Sequence, residues 1–280
     1  MSYQWFPGHM TKSMRMMQEN IKLIDMIIEL SDARIPGSGR NPELKTLSNG
    51  KSHILILNKA DLADEAASQE WSAYYKEQNI NCLFVDSRQN RAVRALQPAL
   101  LKACSEKIER NKRRGIMRPI RAMVVGIPNV GKSTFINSLA GTSAAKTGNK
   151  PGVTRGKQWI KLNKNLELLD TPGVLWPKIE EDRVGENLAL IGAIRDEIID
   201  QSELASILIN RLTGRYPGRL SERYGLSEEG GASEILESIA RSRGCLKAGG
   251  EADCEKAAAL LLHEFRGGQL GHLTLEGIHD

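Results

Sequence analysis

Long apolar runs are scarce in this chain. The longest, such as Ile54–Leu57 and Ala257–Leu262, fall far short of the roughly 20 residues a bilayer-spanning helix requires. An ordinary transmembrane helix is thereby excluded. The N-terminal stretch Met1-Ser2-Tyr3-Gln4-Trp5-Phe6-Pro7-Gly8-His9 has neither a charged n-region nor an apolar h-region, so no secretory signal is expected. Cysteine is also sparse. Cys82, Cys104, Cys245 and Cys254 are scattered with no C-x-x-C spacing, which argues against a disulfide framework or a zinc site and for a reducing cytoplasm. No internal repeat or long low-complexity stretch is evident. What is present is an ordinary globular balance, 40% hydrophobic and 26% charged over 280 residues. That length accommodates one substantial domain plus a smaller second one.

Charge is unevenly spread. The net is +5, but residues 1–179 hold 28 Lys and Arg against 15 Asp and Glu, a net of +13. Residues 180–280 hold 11 against 19, a net of −8. The first two-thirds therefore has the electrostatic footprint of a surface that meets phosphate-rich partners, RNA or DNA. A plainer reading, that any phosphate-binding domain carries some positive charge, stays open.

Short apolar strands alternate with helical stretches, as in α/β folds. The expected strands are Asp25–Leu30, His53–Leu57, Cys82–Val85, Ala122–Gly126, Gln158–Leu162 and Leu166–Leu169. Helices are expected over Lys12–Leu23, Asp64–Gln78, Ala92–Arg113 and Lys132–Ala140. After Pro177 the strand-like runs stop, and amphipathic helices follow near Glu203–Leu212, Ala232–Arg241 and Asp253–Phe265, broken by Gly230-Gly231 and Gly249-Gly250. A domain boundary is expected near residue 178, with a domain over 1–178 and an all-helical one over 179–280.

The strongest local signal is Gly126-Ile127-Pro128-Asn129-Val130-Gly131-Lys132-Ser133, lying between an apolar strand and the helix that opens with Thr134. It matches the phosphate-binding P-loop, whose glycines let consecutive N–H groups face a phosphate chain while the helix N-terminus adds its dipole. Lys132 is expected to bridge the β- and γ-phosphates, and Ser133 to hold Mg²⁺. Asn58-Lys59-Ala60-Asp61 closes a strand and names the base. The Asp61 carboxylate can accept from both the N1–H and the exocyclic amine of guanine, a pair adenine lacks. The Lys59 stem can lie along the base, and Asn58 can tie this loop to the P-loop. Asp86-Ser87 suits a loop whose N–H meets the guanine O6. Asp170-Thr171-Pro172-Gly173 follows another strand. Asp170 is expected to reach Mg²⁺ through water, and the Gly173 N–H to touch the γ-phosphate until hydrolysis releases it. Thr154, 21 residues beyond Ser133, is the candidate Mg²⁺-sensing threonine of a first switch, with an ordinary loop threonine as the alternative. The expected nucleotide-binding set is thus Asn58, Lys59, Ala60, Asp61, Asp86, Ser87, Pro128, Asn129, Val130, Gly131, Lys132, Ser133, Thr134 and Gly173.

The order of these motifs is shuffled. The guanine motif and the serine loop precede the P-loop, the switch threonine and D-x-x-G, which a closed sheet permits if old termini were joined and a new break opened. D-x-x-G then leads directly toward the C-terminal helices through Val174–Lys178. With Trp5-Phe6-Pro7-Gly8-His9-Met10, Asp32-Ala33-Arg34-Ile35-Pro36 and Leu175-Trp176-Pro177 added, essentially the whole chain resembles the circularly permuted GTPases, and among them the ribosome biogenesis GTPase A family. The resemblance implies a P-loop GTPase fold with permuted motif order, plus a C-terminal all-helical RNA-binding domain. It also implies a bacterial cytoplasmic factor that acts late in assembly of the large (50S) ribosomal subunit, on its precursor and rRNA, cycling between GTP and GDP. The acidic C-terminal part departs from that pattern, so any RNA contact there falls to local clusters such as Arg211, Arg215, Arg219 and Arg223.

Many GTPases place a glutamine immediately after D-x-x-G to orient the attacking water; here Val174 cannot hydrogen-bond. The resemblance points to His9 as the catalytic residue, with simple packing or RNA contact as the alternative. It also points to Asn129 as a ligand of K⁺, with a plain P-loop hydrogen-bonding role left open. The run Lys107, Arg110, Lys112, Arg113, Arg114, Arg118 and Arg121 is the expected RNA-facing patch, against a solvated helix end. A tRNA- or signalling-related GTPase and a GTP-dependent RNA scaffold without useful hydrolysis remain as other classes.

Overall fold

Six runs rich in aliphatic residues pair into one sheet in a computed structural model that describes residues 15–48, 50–141, 158–176 and 179–280. The strands are β1 Met26–Asp32, β2 Ser52–Asn58, β3 Cys82–Val85, β4 Ile120–Gly126, β5 Gln158–Lys161 and β6 Leu166–Asp170. Their spatial order is β3-β2-β1-β4-β6-β5. All neighbours are parallel except the β5–β6 edge, with Met26 of β1 opposite Ser52 of β2 and Ala122 of β4. Every residue of β1 is buried, as expected of a central parallel strand covered on both faces, and so it reads as a near-continuous apolar run.

Three strands run one or two residues past their expected ends, reaching Asp32, Asn58 and Asp170. These polar residues complete the ladder and close the strands at the carboxyl edge of the sheet, where open α/β folds bind ligands.

The helices are α1 Glu43–Leu47, α2 Glu65–Glu77, α3 Asn90–Arg94, α4 Gln97–Lys102, α5 Ser105–Arg113, α6 Lys132–Ala140, α7 Asp182–Leu190, α8 Gln201–Arg215, α9 Arg219–Tyr224, α10 Ala232–Ser242 and α11 Cys254–Arg266. The single helix expected over Ala92–Arg113 is therefore three. Pro98 sits in the first turn of α4, where its missing N–H is tolerated but a continuous preceding helix is not. The second break falls where Cys104 leaves the helical region at φ −108°. Of the expected Lys12–Leu23 helix, residues 15–20 are helical and 21–23 form a 3₁₀ turn; residues 12–14 lie outside the described residues. Short α7 and α9 were not expected, because each presents too few turns for its periodicity to stand out.

The C-terminal helices share a core with the sheet. Ile28, Leu30, Val124 and Leu168 belong to the same buried apolar cluster as Leu188, Leu208, Leu261 and Phe265. Leu175 and Trp176 are buried in it too, so that part of the expected linker is core rather than tether; Pro177 and Lys178 lie outside the described residues. The last segment then returns to the first half of the chain. Leu273 N–H donates to the Leu62 carbonyl at 3.0 Å, and Leu275 N–H to the Arg34 carbonyl at 2.8 Å. Asp64 N–H donates to Thr274 Oγ1 at 3.2 Å.

Candidate nucleotide site

The carboxyl ends of β2, β3, β4 and β6 carry the four expected motif loops to one edge of the sheet. Asn58, buried at the end of β2, joins three of them. Its Nδ2 donates to the Val130 carbonyl in the P-loop at 2.7 Å. Its Oδ1 accepts from the Ser87 N–H at 3.0 Å and the Ser87 hydroxyl at 2.6 Å. One amide thus spends its donor on the phosphate-type loop and its acceptor on the serine loop, so neither can drift independently of the other. Ser138 of α6 extends the network, its hydroxyl placed to donate to either the Ser87 carbonyl or Asn90 Oδ1, the latter 2.6 Å away.

Within the P-loop, Asn129 and Gly131 take left-handed conformations, φ +59° and +91°. Gly131 is required twice over, because a Cβ there would also stand 2.6 Å from Asn58 Nδ2. Pro128 and Val130 are buried beside it, and Ser133 and Thr134 are half-buried in the first turn of α6. Lys132 is buried, with its Nζ donating to the carbonyls of Gly126 at 3.3 Å and Ile127 at 3.1 Å. Burial pushes its pKa down to about 8, against the opposing pull of the Asp170 charge. Such an ammonium is under-neutralised in this pocket and suits an anionic ligand. Gly173 closes over the same spot. A Cβ there would lie 2.9 Å from Lys132 Nζ and 3.0 Å from Pro128 Cα, so only glycine lets D-x-x-G approach the P-loop this closely. Val174 turns away into a buried cluster with Met17, Leu44 and Val125.

The base-side loop is anchored by residues whose role no local pattern announces. Lys59 is left-handed at φ +59°, and its Nζ lies 3.0 Å from Asp32 Oδ2 at the end of β1. Asp32 also accepts Arg34 Nε at 2.9 Å and Nη2 at 2.8 Å. Burial alone would raise the Asp32 carboxyl, but the Arg34 and Lys59 charges outweigh it and hold it well below the usual carboxylate range. Arg34, itself fully buried, then donates to the carbonyls of Phe265 at 3.2 Å and Arg266 at 3.3 Å, ending α11. Asp32 and Arg34 were visible only as family markers. The partners of Arg34 on α11 lie more than 200 residues away in the chain.

Asp61 and Asp86 face one another across Arg88. Arg88 Nη2 donates to Asp61 Oδ2, while its Nε donates to Asp86 Oδ1 at 3.1 Å. Burial would push the Asp86 carboxyl up, but the Arg88 hydrogen bonds hold it below its ordinary value. Ala60 opens the short 3₁₀ turn that carries Asp61.

The donor set suits a hard divalent cation. The Ser133 hydroxyl and the Asp170 carboxylate are oxygen ligands of the type Mg²⁺ takes, and Asp170, at the end of β6, exerts its charge on Lys132 of the P-loop. The Asn129 amide points its Nδ2 at the Gly192 carbonyl, 2.7 Å away, leaving its oxygen as the group suited to K⁺. His9 and Thr154 lie outside the described residues.

The profile of a family described as 50S ribosome-binding GTPase matches residues 121–213. The chain is 46% identical to ribosome biogenesis GTPase A of Priestia megaterium over 99% of this chain and 97% of that protein. It is 45% identical to ribosome biogenesis GTPase A of Bacillus cereus over 99% and 94%. The crystal structure of GNP-bound YlqF from T. maritima superposes with a TM-score of 0.68 at 30% identity, covering 96% of this chain and 99% of that one. A loop constellation built for a guanine nucleotide, a permuted strand order and near-full-length similarity converge, and the chain belongs to the ribosome biogenesis GTPase A family.

Proposed function

We propose that this GTPase works in the bacterial cytoplasm late in assembly of the large (50S) ribosomal subunit, binding rRNA of the precursor in its GTP form and releasing it after hydrolysis. The single observation that carries the nucleotide half of this reading is Asn58, whose one amide holds the P-loop and the serine loop together. In this reading residues 1–178 are the permuted G domain and 179–280 the ribosome-contacting helical part. Asp61 accepts from guanine N1–H and its amine, Lys59 lies along the base, and the Asp86-Ser87 loop meets O6. The backbone from Asn129 to Thr134 wraps the phosphates, and Pro128, which has no N–H, shapes the turn.

Ser133, Asp170 and Thr154 would hold Mg²⁺, and Asn129 Oδ1 would hold K⁺. These cations supply positive charge where the transferred phosphoryl develops negative charge. Lys132 draws the β- and γ-phosphates toward it, and the Gly173 N–H faces the γ-phosphate. The buried Val174 leaves water activation to His9 or to a group of the ribosomal particle. Turnover with purified precursor particles separates these: His9→Ala that is stimulated as strongly as wild type removes His9 from the mechanism.

Arg211, Arg215, Arg219 and Arg223 support RNA contact less well than their sequence suggested, because each is paired internally, with Glu186, Asp280, Glu222 and Glu264 respectively. In the other patch Arg118 is bidentate to Asp25 at 2.8 Å, and Arg121 is held by Glu167. Arg110, Lys112, Arg113 and Arg114, exposed at the end of α5, are the better RNA-facing group. Co-sedimentation with precursor particles tests the whole reading. Binding with a non-hydrolysable GTP analogue and loss with GDP is expected; equal binding in both states, or none, rejects it.

A further inference from the structure

We propose that Arg88 is an internal competitor for the guanine base, setting how tightly and how long the nucleotide is held. The proposal rests on Asp61 being the guanine-reading carboxylate. Arg88 Nη2 donates to Asp61 Oδ2, in front of the oxygens that the N1–H and exocyclic amine of guanine would take. One Arg88 nitrogen donates to the carboxylate that the guanine edge would use, so the two compete for Asp61. Asp86 is where Arg88 stays when it yields. Asp86 Oδ1 accepts both the Arg88 backbone N–H at 2.9 Å and Nε at 3.1 Å, and its Oδ2 lies 3.4 Å from Nη2. The side chain therefore needs to release only its Asp61 contact, not its anchor.

On nucleotide departure the sequence reverses. Arg88 returns to Asp61 and neutralises a carboxylate that would otherwise be left facing the base pocket without its partner. Held on Asp86 beside the base, Arg88 can begin to take Asp61 as guanine lets go, which favours release over rebinding. Arg88 is 68% exposed, so the pair is solvent-screened and its effect is modest, roughly two- to fivefold in affinity. Screening also makes the effect fade as ionic strength rises. Arg88 touches none of the phosphate-side residues described above, so it acts on base recognition and not on hydrolysis.

The test is a four-protein cycle: wild type, Arg88→Ala, Asp61→Asn and the double variant, with fluorescent GDP and XDP affinities and dissociation rates measured at low and high salt. Xanthine carries a carbonyl where guanine carries its amine, so an amide at position 61 should shift preference toward XDP. The expected result is that Arg88→Ala tightens GDP about two- to fivefold and slows its release at low salt, with the gain shrinking at high salt. In the Asp61→Asn background the same change should leave XDP affinity unaltered, because the ion pair is already gone. Weaker or unchanged GDP binding by Arg88→Ala overturns the proposal, the former showing that Arg88 clamps the base instead. A GDP-to-XDP preference unmoved by Asp61→Asn would instead reject the assignment of Asp61 itself.

Discussion

Lys132 shows how a single residue can carry a cost that its ligand removes. Its folded-state pKa, about 8, lies below the 10.5 of an exposed lysine. Between those values the unfolded chain binds a proton that the folded chain has lost, so stability of the nucleotide-free protein should rise with pH across that window. Below pH 8 the full burial cost is present. Urea titrations at several pH values should show this rise in wild type and a flatter profile in Lys132→Met; identical profiles would acquit Lys132. A triphosphate restores the charged form, so nucleotide binding near pH 8 should take up about half a proton, and more as pH rises above 8, read by calorimetry in buffers of different ionisation enthalpy. Asp32 makes the complementary case. Asp32→Ala strands the buried Arg34 cation and should cost about 3–5 kcal/mol by chemical denaturation. The motif pattern identified Lys132 directly, since Gly-rich turns before a lysine announce their chemistry. Asp32 showed only as a family marker, because its carboxylate meets Lys59 only after β1 and β2 pair.

Among the elements, the strands were almost fully legible and the helices less so. Most strands are short aliphatic runs, and three of them end in a polar motif residue, Asp32, Asn58 or Asp170, a local property. The break of Ala92–Arg113 into α3, α4 and α5 was signalled by Pro98, but the amphipathic pattern running across it masked the signal. The D-x-x-G loop is the element most sensitive to a small change. Gly173→Ala would put a Cβ against Lys132 and Pro128 and displace the loop from the phosphates. GTP turnover should fall about 10²-fold, as expected for misplacement near 1 Å, while GDP affinity stays near wild type. An unchanged turnover would mean the loop does not close over the P-loop during catalysis. The end of α5 carries the RNA prediction. Reversing Arg110, Lys112, Arg113 and Arg114 to Glu should weaken particle binding, with the salt slope falling by about 0.7–0.9 for each phosphate no longer neutralised. Unaltered affinity would move the RNA surface elsewhere.

For the whole molecule, the decisive feature is the return of the C-terminal segment. Glu276 is buried against the N-terminal half, where its carboxylate accepts from the N–H groups of Gly37 and Ser38, the Ser38 hydroxyl and Asn187 Nδ2. Burial raises its pKa despite those hydrogen bonds. Glu276→Ala should orphan two backbone donors, costing about 1–3 kcal/mol for each that water cannot reach. It should also increase hydrogen exchange at Leu273 and Leu275 ahead of global unfolding. No local loss of protection there would show that the tail is held by its apolar contacts alone. Asn129 links the P-loop to Gly192, just past α7, so the nucleotide loop and the C-terminal helices touch directly rather than through a chain linker.

The sequence alone determined the P-loop, the guanine motif, D-x-x-G and the strand pattern, because each depends on residues adjacent in the chain. Their permuted order was equally explicit. Only the tertiary structure decided that Asn58 would also hold the serine loop through Ser87, that Arg34 would end the last helix, and that Arg211, Arg215 and Arg223 would be neutralised by acids distant in the chain. Those outcomes depend on partners brought together by sheet pairing and burial. No local spacing encodes them, because charges and hydrogen-bonding groups are assigned their partners by proximity in the folded chain.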